Sequence, residues 1–248
     1  MKDKEQIINK FYSVKELGFV KSHRKNNTGI GKTFEDYVGV VENNIDEPDL
    51  FGFEIKSHRE LAQSYVTLFT KSPSFPKGAN AYLRDKFGVP YQDNPNLKRL
   101  HTSMFATKRN TYASSYCFQL FNDRQNKCIL IAVYSLATNE LLDASCGYTY
   151  ADLEKTLKKK LKNLFYVTAE TKTDTDGTEL FYFHKADIYE SPSFTKFLEM
   201  IDSGLIMFDI RIGSFHSGAN YGKTHDHGSG FRILEGNLCQ LYAVHESV

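Results

Sequence analysis

The chain has 248 residues, 41% of them hydrophobic and 25% charged, with a formal net charge of +1. That make-up fits one large globular domain, or a domain with a sub-lobe, and excludes a disordered or low-complexity chain. No apolar run reaches the roughly 20 residues of a membrane span, and the start Met1-Lys2-Asp3-Lys4-Glu5 lacks a signal peptide's apolar core. Cys117, Cys128, Cys146 and Cys239 show no C-x-x-C spacing, so neither a zinc knuckle nor a disulfide framework is indicated and a reduced, cytoplasmic setting is expected.

Residues 4–19 read as a helix, with Ile7, Ile8, Phe11 and Val14 at helical spacing and Gly18 as its C-terminal stop. A basic loop follows from Lys21 to Asn27. The run Gly29-Ile30-Gly31-Lys32-Thr33 looks like the end of a nucleotide-binding P-loop. Asn26 stands where that motif needs Gly, however, and charged residues replace the strand that should precede it. Nucleotide binding is therefore excluded. Thr33 fits the N-cap of a helix over 34–43, with Asp36 at the capping-box position and Phe34, Val38 and Val41 as its buried stripe. Glu35 lies off that stripe, either solvated or reaching towards neighbouring acids.

The most informative stretch is Pro48-Asp49-Leu50-Phe51-Gly52-Phe53-Glu54-Ile55-Lys56. Phe53 and Ile55 alternate with Glu54 and Lys56, which is the period of a strand with one buried face. Leu50 to Gly52 can bend the chain and bring Asp49 beside Glu54. Two carboxylates with an ammonium on the same face suit a hard divalent cation such as Mg²⁺, which lowers the pKa of a bound water and offsets charge on a phosphoryl transition state. A plain strand with solvated Glu and Lys fits the same spacing.

Ser64 to Thr70 reads as a strand, and residues 71–110 as a long connection broken by Pro73, Pro76, Gly78, Pro90 and Pro95 with one short helix at 79–87. A β-rich section spans 112–147, with turns at Asp123-Arg124-Gln125-Asn126 and Thr138-Asn139. A lysine-rich amphipathic helix covers 151–163. Strands at 164–171 and 179–186 are joined across Asp174-Thr175-Asp176-Gly177. A helix over 194–202 stops at Gly204, and a strand runs from Leu205 to Ile212.

Residues 30–60 carry eight acids against three bases, and residues 71–110 eight bases against two acids. Such segregation suits a metal site set beside a polyanion-binding surface, or reflects an uneven solvated exterior. The polar stretch Gly213 to Gly230 holds His216, Lys223, His225, Asp226 and His227. His225-x-His227 lacks a third ligand for a transition metal, and hydrogen bonding to base edges suits this loop better.

Several blocks, taken together, resemble the MvaI/BcnI family of type II restriction endonucleases, closest to its MvaI-like branch. They are Asn27 to Asp36, Pro48-Asp49 with Glu54-Ile55-Lys56, Thr67 to Pro73, Gly78-Ala79-Asn80, Asp209 to Gly213, Gly222 to Gly228, and Phe231-Arg232-Ile233. Residues 88–170 add little to the match. The resemblance implies a mixed α/β PD-(D/E)xK nuclease fold with catalytic and recognition lobes around a DNA-binding cleft, the lobes dividing near residue 170 into about 1–170 and 171–248. It makes Asp49, Glu54 and Lys56 the catalytic triplet and Glu35 an additional acid, with Asp49, Glu54 and the Ile55 backbone carbonyl as Mg²⁺ ligands. It assigns DNA reading to His225, His227 and Arg232, with Asp209, Arg211, Lys223, Thr70 and Lys71 in support. It further implies a monomer that nicks the two strands of double-stranded DNA in turn, within a bacterial or archaeal cell alongside a companion DNA methyltransferase. Thr70, where the BcnI-like branch has His, leans towards the site CC(A/T)GG. The MutH mismatch-repair nickases share the catalytic pattern, so a strand-nicking repair enzyme is the alternative, and a catalytically silent DNA-binding protein a third reading.

Overall fold

The computed structural model describes residues 2–40, 49–60 and 64–248. The helices are α1 (Lys2–Lys15), α2 (Gly29–Val38), α3 (Ala79–Phe87), α4 (Tyr150–Lys160) and α5 (Phe194–Asp202). The strands are β1 (Val20–Lys21), β2 (Glu54–Arg59), β3 (Tyr65–Thr70), β4 (Val89–Pro90), β5 (Lys98–Met104), β6 (Asn110–Tyr112), β7 (Tyr116–Asp123) and β8 (Cys128–Ser135). They continue with β9 (Leu141–Thr149), β10 (Asn163–Thr173), β11 (Glu179–Pro192), β12 (Ile206–Ser214), β13 (Thr224–Asp226), β14 (Gly230–Leu234) and β15 (Tyr242–Ser247). The class is mixed α/β, with helices flanking the sheets. Among the described residues no helix is long and apolar enough to cross a membrane.

Two compact units make up the chain, and both are assembled from separated segments. One comprises Met1–Ser64, Leu157–Ser193 and Cys239–Val248; the other comprises Tyr65–Thr156 and Phe194–Leu238. This interleaving of compact units stands beside the division into catalytic and recognition lobes expected near residue 170. Its physical reason is strand pairing: β2 finds its parallel neighbour in β10, with Glu54 opposite Leu164 and Lys56 opposite Tyr166.

In the first unit the sheet runs β1-β11-β10-β2, and β15 also pairs with β11. Phe53 just before β2, Ile55 within it, Phe165, Val167 and Ala169 of β10, and Phe181 and Phe183 of β11 bury one face against Ile7, Phe11 and Val14 of α1 and Ile30, Phe34 and Val38 of α2. Burying each such side chain contributes about 1.5–3 kcal/mol. Alternation then forces Glu54, Lys56 and His58 onto the opposite face, where the His58 ring stacks on Tyr166 at 4.3 Å.

Helix α2 begins at Gly29, so the P-loop-like run forms its first turns and Thr33 lies inside it. The Thr33 hydroxyl donates to Gly29 O at 2.7 Å and accepts the His23 N–H at 2.9 Å, instead of capping a later helix. Asp36 binds Lys32 at 2.8 Å and His23 at 2.9 Å, and these partners hold its carboxyl below the usual range. Val41 and Pro48 lie outside the described residues.

The second unit contains an antiparallel sheet in the order β3-β14-β12-β5-β4, with β13 on β12, and a meander β6-β7-β8-β9. Its aromatic core centres on Phe231, whose ring meets Phe69, Tyr148, Phe197 and Phe208 within 5.2–5.4 Å. The meander turns fall at the predicted positions. Residues 71–110 contain the expected helix but also β5, an interior strand that the sequence reading left in a loop. Leu100, Thr102 and Met104 are buried, while Arg99, His101 and Ser103 take the other face. Prolines and bases on either side hide that alternation.

Candidate active site and nucleic-acid interface

Leu50 and Phe53 exchange backbone hydrogen bonds of 3.1 and 2.8 Å, closing a two-residue turn on Phe51 and Gly52. Both central residues have positive φ, 49° and 78°, the requirement of a type I′ turn, and Gly meets it without a Cβ penalty. The turn folds Asp49 back along β2, where its Oδ2 accepts the Ile55 N–H at 2.7 Å. On the residue before it, Glu54 Oε1 accepts from Lys56 Nζ at 3.2 Å. With these side chains 21% and 24% exposed, the pair adds little stability, so its worth lies in placement.

Glu35 is half-buried on α2, which packs against β2, and its Oε1 turns back to 3.7 Å from where a Cβ on Gly31 would sit. The Tyr242 hydroxyl is buried without a hydrogen-bond partner. Burial, then Tyr189 and then the Glu54 charge drive that phenol far above its ordinary pKa.

The oxygen donors here are the carboxylates of Asp49, just before β2, and of Glu54, with the backbone carbonyls of the strand. Among the described residues no group of three or more His, Cys, Asp or Glu side chains is arranged to hold a metal. Carboxylate and carbonyl oxygens match Mg²⁺ chemistry rather than a closed nitrogen or sulfur cage.

In the second unit, one face of the β3-β14-β12-β5 sheet is polar, and Asp209 is its hub. Asp209 is 7% exposed. Its Oδ1 accepts from Ser103 Oγ at 3.0 Å and its Oδ2 from Arg211 Nε at 2.6 Å, while the Arg232 guanidinium forms an ion pair with it, Nε lying 3.0 Å from Oδ2. Arg232 also donates to Thr67 Oγ1 and to Gly228 O, so most of its guanidinium is committed to the protein. Burial and the nearby Arg211 lower its pKa. Arg211 is the freer of the two, its side chain 47% exposed.

His225 and His227 follow along β13 and the turn beyond it. Phe215 stacks flat on the His225 ring at 4.2 Å, and the two imidazoles are 4.1 Å apart. The turn is fastened by Asp226, whose Oδ1 accepts the Gly228 and Ser229 N–H groups and whose Oδ2 accepts from Asn80 Nδ2. His227 lies over Gly213: a Cβ there would come 2.8 Å from His227 Nε2 and 2.6 Å from the Tyr91 hydroxyl. Burial first, and then His225, lower the His227 pKa.

Thr70 is exposed and pairs with Gly230, and the Lys71 N–H donates to Ser229 O at 3.1 Å. The structure thus gathers Thr70, Lys71, Asp209, Arg211, His227 and Arg232 around one turn. Lys223 is exposed and donates to Asn220 Oδ1 at 3.1 Å. The sequence reading missed Ser103, Asp226, Asn80 and Phe215 as supports. The period-2 pattern of β5 was a signal for the first and the Asp226-His227-Gly228 turn for the second, while Asn80 and Phe215 depend on contacts remote in sequence.

Residues 8–242 match the MvaI/BcnI restriction endonuclease family. This chain belongs to that family. It is similar to a solved complex of restriction endonuclease MvaI with its cognate DNA substrate, at 33% identity and TM-score 0.86, over 96% of this chain and 95% of that one. It is also similar to restriction endonuclease MvaI in the absence of DNA, at 31% identity and TM-score 0.66, over 100% and 98% of the two chains. No curated protein sequence matches it. The fold is that of a PD-(D/E)xK nuclease, and the protein is a type II site-specific deoxyribonuclease.

Proposed function

We propose that this enzyme hydrolyses double-stranded DNA at CC(A/T)GG in a Mg²⁺-dependent reaction, as a monomer that nicks one strand and then the other. The observation that carries the catalytic part is the β2 arrangement, with Asp49 fastened to the Ile55 N–H beside Glu54 and Lys56 paired to Glu54. Asp49, Glu54 and the Ile55 carbonyl would hold the cation. When bound, Mg²⁺ supplies a water of lowered pKa and offsets charge developing at phosphorus. Lys56 orients the attacking water, and Glu35 contributes a further carboxylate from α2. Attack in line forms one P–O bond as the opposite P–O bond breaks, and the leaving oxygen takes a proton from solvent.

Arg211 and Arg232, aligned by Asp209, are suited to the O6 and N7 acceptors of guanine, and the His225 and His227 rings to either purine edge. Lys223 and Lys71 meet phosphates. Thr70, on the rim of the same face, supports the A/T centre of the site. A companion methyltransferase acting on that sequence would protect the host's own DNA in the cytoplasm.

The test is digestion of a defined plasmid with Mg²⁺ and, in parallel, with EDTA, followed by run-off sequencing of both strands. Ends at CC(A/T)GG on both strands, only with Mg²⁺, are expected. Ends at another site would refute the specificity and keep the chemistry. Nicks on one strand alone would replace this reading with the repair nickase, and intact DNA with the silent binder.

A further inference from the structure

Strand β5 places Arg99, His101 and Ser103 on the same sheet face as Asp209 and Arg211. Ser103 is committed to Asp209, whereas Arg99 and His101 are exposed. His101 stands directly opposite Arg211 in the strand ladder, and its ring meets the His227 ring edge-on at 5.9 Å. Cross-strand neighbours of this kind lie about 5 Å apart, and successive residues on one strand face about 7 Å apart. Base pairs rise about 3.4 Å. A row from His101 to Arg99 therefore spans about two base steps beside the position served by Arg211. Among the described residues the face and its edge set Arg99, Arg211, Arg232 and three imidazoles against Asp209 and Asp226. A face of that charge is built for a polyanion.

We propose that His101 is a third reading imidazole, contacting a base edge next to the one met by Arg211 and His227, while Arg99 holds a phosphate at the end of the same row. The proposal rests on the DNA-reading role of this face. A bare solvated histidine would not need register with Arg211 and contact with His227. Burial first, and then His227, Arg99 and Arg211, lower the His101 pKa, with Asp209 opposing. A neutral ring donates from one nitrogen and accepts at the other, which suits a base edge better than a phosphate.

The experiment measures binding in an Asp49→Asn background, which stops cleavage. The duplexes are the site found by plasmid digestion and its single-base-pair variants, at several salt concentrations. His101→Ala and His101→Gln should reduce preference for the correct duplex, the former on the order of tenfold, with an unchanged salt slope. Arg99→Gln should weaken every duplex alike and flatten the slope of log affinity against log salt by about one unit. Arg211→Ala is the control, and thermal melts confirm folding. If Arg211→Ala loses preference while His101→Ala does not, the His101 assignment is overturned and the reading face stands. If neither loses preference, the reading face itself is overturned. A uniform loss with a flatter slope for His101→Ala would make it a phosphate contact and refute the base-edge assignment.

Discussion

Replacing Gly213 by Ala separates stability from sequence reading. The backbone there is extended strand, so Ala fits it and should gain about 0.5–1 kcal/mol from reduced chain entropy. Its Cβ, however, would sit 2.8 Å from His227 Nε2 and 2.6 Å from the Tyr91 hydroxyl. Ordinary contact of about 3.4 Å requires these atoms to retreat by about 0.6 and 0.8 Å. Both are the ends of side chains, so they can move cheaply. Productive N–H···O distances, about 2.7–3.2 Å, form a window narrower than that retreat. A base-edge hydrogen bond from His227 should therefore fail, lowering discrimination by about 1–3 kcal/mol. The assays are fluorescence anisotropy with the correct duplex and single-base variants, and a thermal melt. Unchanged discrimination would refute the placement of His227 as a reader. A melting point several degrees lower, with equal loss on every duplex, would show that Gly213 serves folding instead.

Asp49→Asn retains an oxygen for the Ile55 N–H and should leave the fold intact while abolishing cleavage and sparing DNA binding; loss of binding in step with activity would refute a catalytic role. Arg232→Ala leaves the buried Asp209 with one partner fewer and should cost about 1–3 kcal/mol in denaturant unfolding, and an unchanged midpoint would refute the brace. Asp187 is buried, which raises its pKa, but Ser247, His245 and Lys185 outweigh burial and hold it below the ordinary value. A depressed carboxylate stabilises the fold above its unfolded pKa of about 3.9 and loses that contribution as pH falls through its folded value. Acid unfolding followed by circular dichroism should therefore be shallower below about pH 4 in Asp187→Asn, and identical acid limbs would refute this.

What could be read from the chain followed from local physics. The Glu54-Ile55-Lys56 alternation places the carboxylate and ammonium on one face because Phe53 and Ile55 must be buried. The helix α5 and its stop at Gly204 are where apolar spacing and a positive φ put them. What escaped depends on partners remote in sequence. Asp209 is a hub only because β5 and β14 flank β12, which brings Ser103 and Arg232 to it. The start of α2 was misplaced because Thr33 has the chemistry of a cap but spends its hydroxyl on Gly29. The long segment before residue 110 looked like a loop because interior β5 carries its bases on the face that meets solvent.

The pairing of β2 with β10 has a consequence for the cell that makes this nuclease. By the time a ribosome has passed Lys56, every proposed catalytic side chain exists, yet their strand has no neighbour until residues 163–173 emerge. The whole first segment of the other unit, Tyr65–Thr156, is synthesised in between. A nascent chain or an abortive fragment ending there carries the full set of cutting residues with no sheet to hold them in register. Such a product should not cut DNA, and cutting requires at least a chain that reaches residues 163–173.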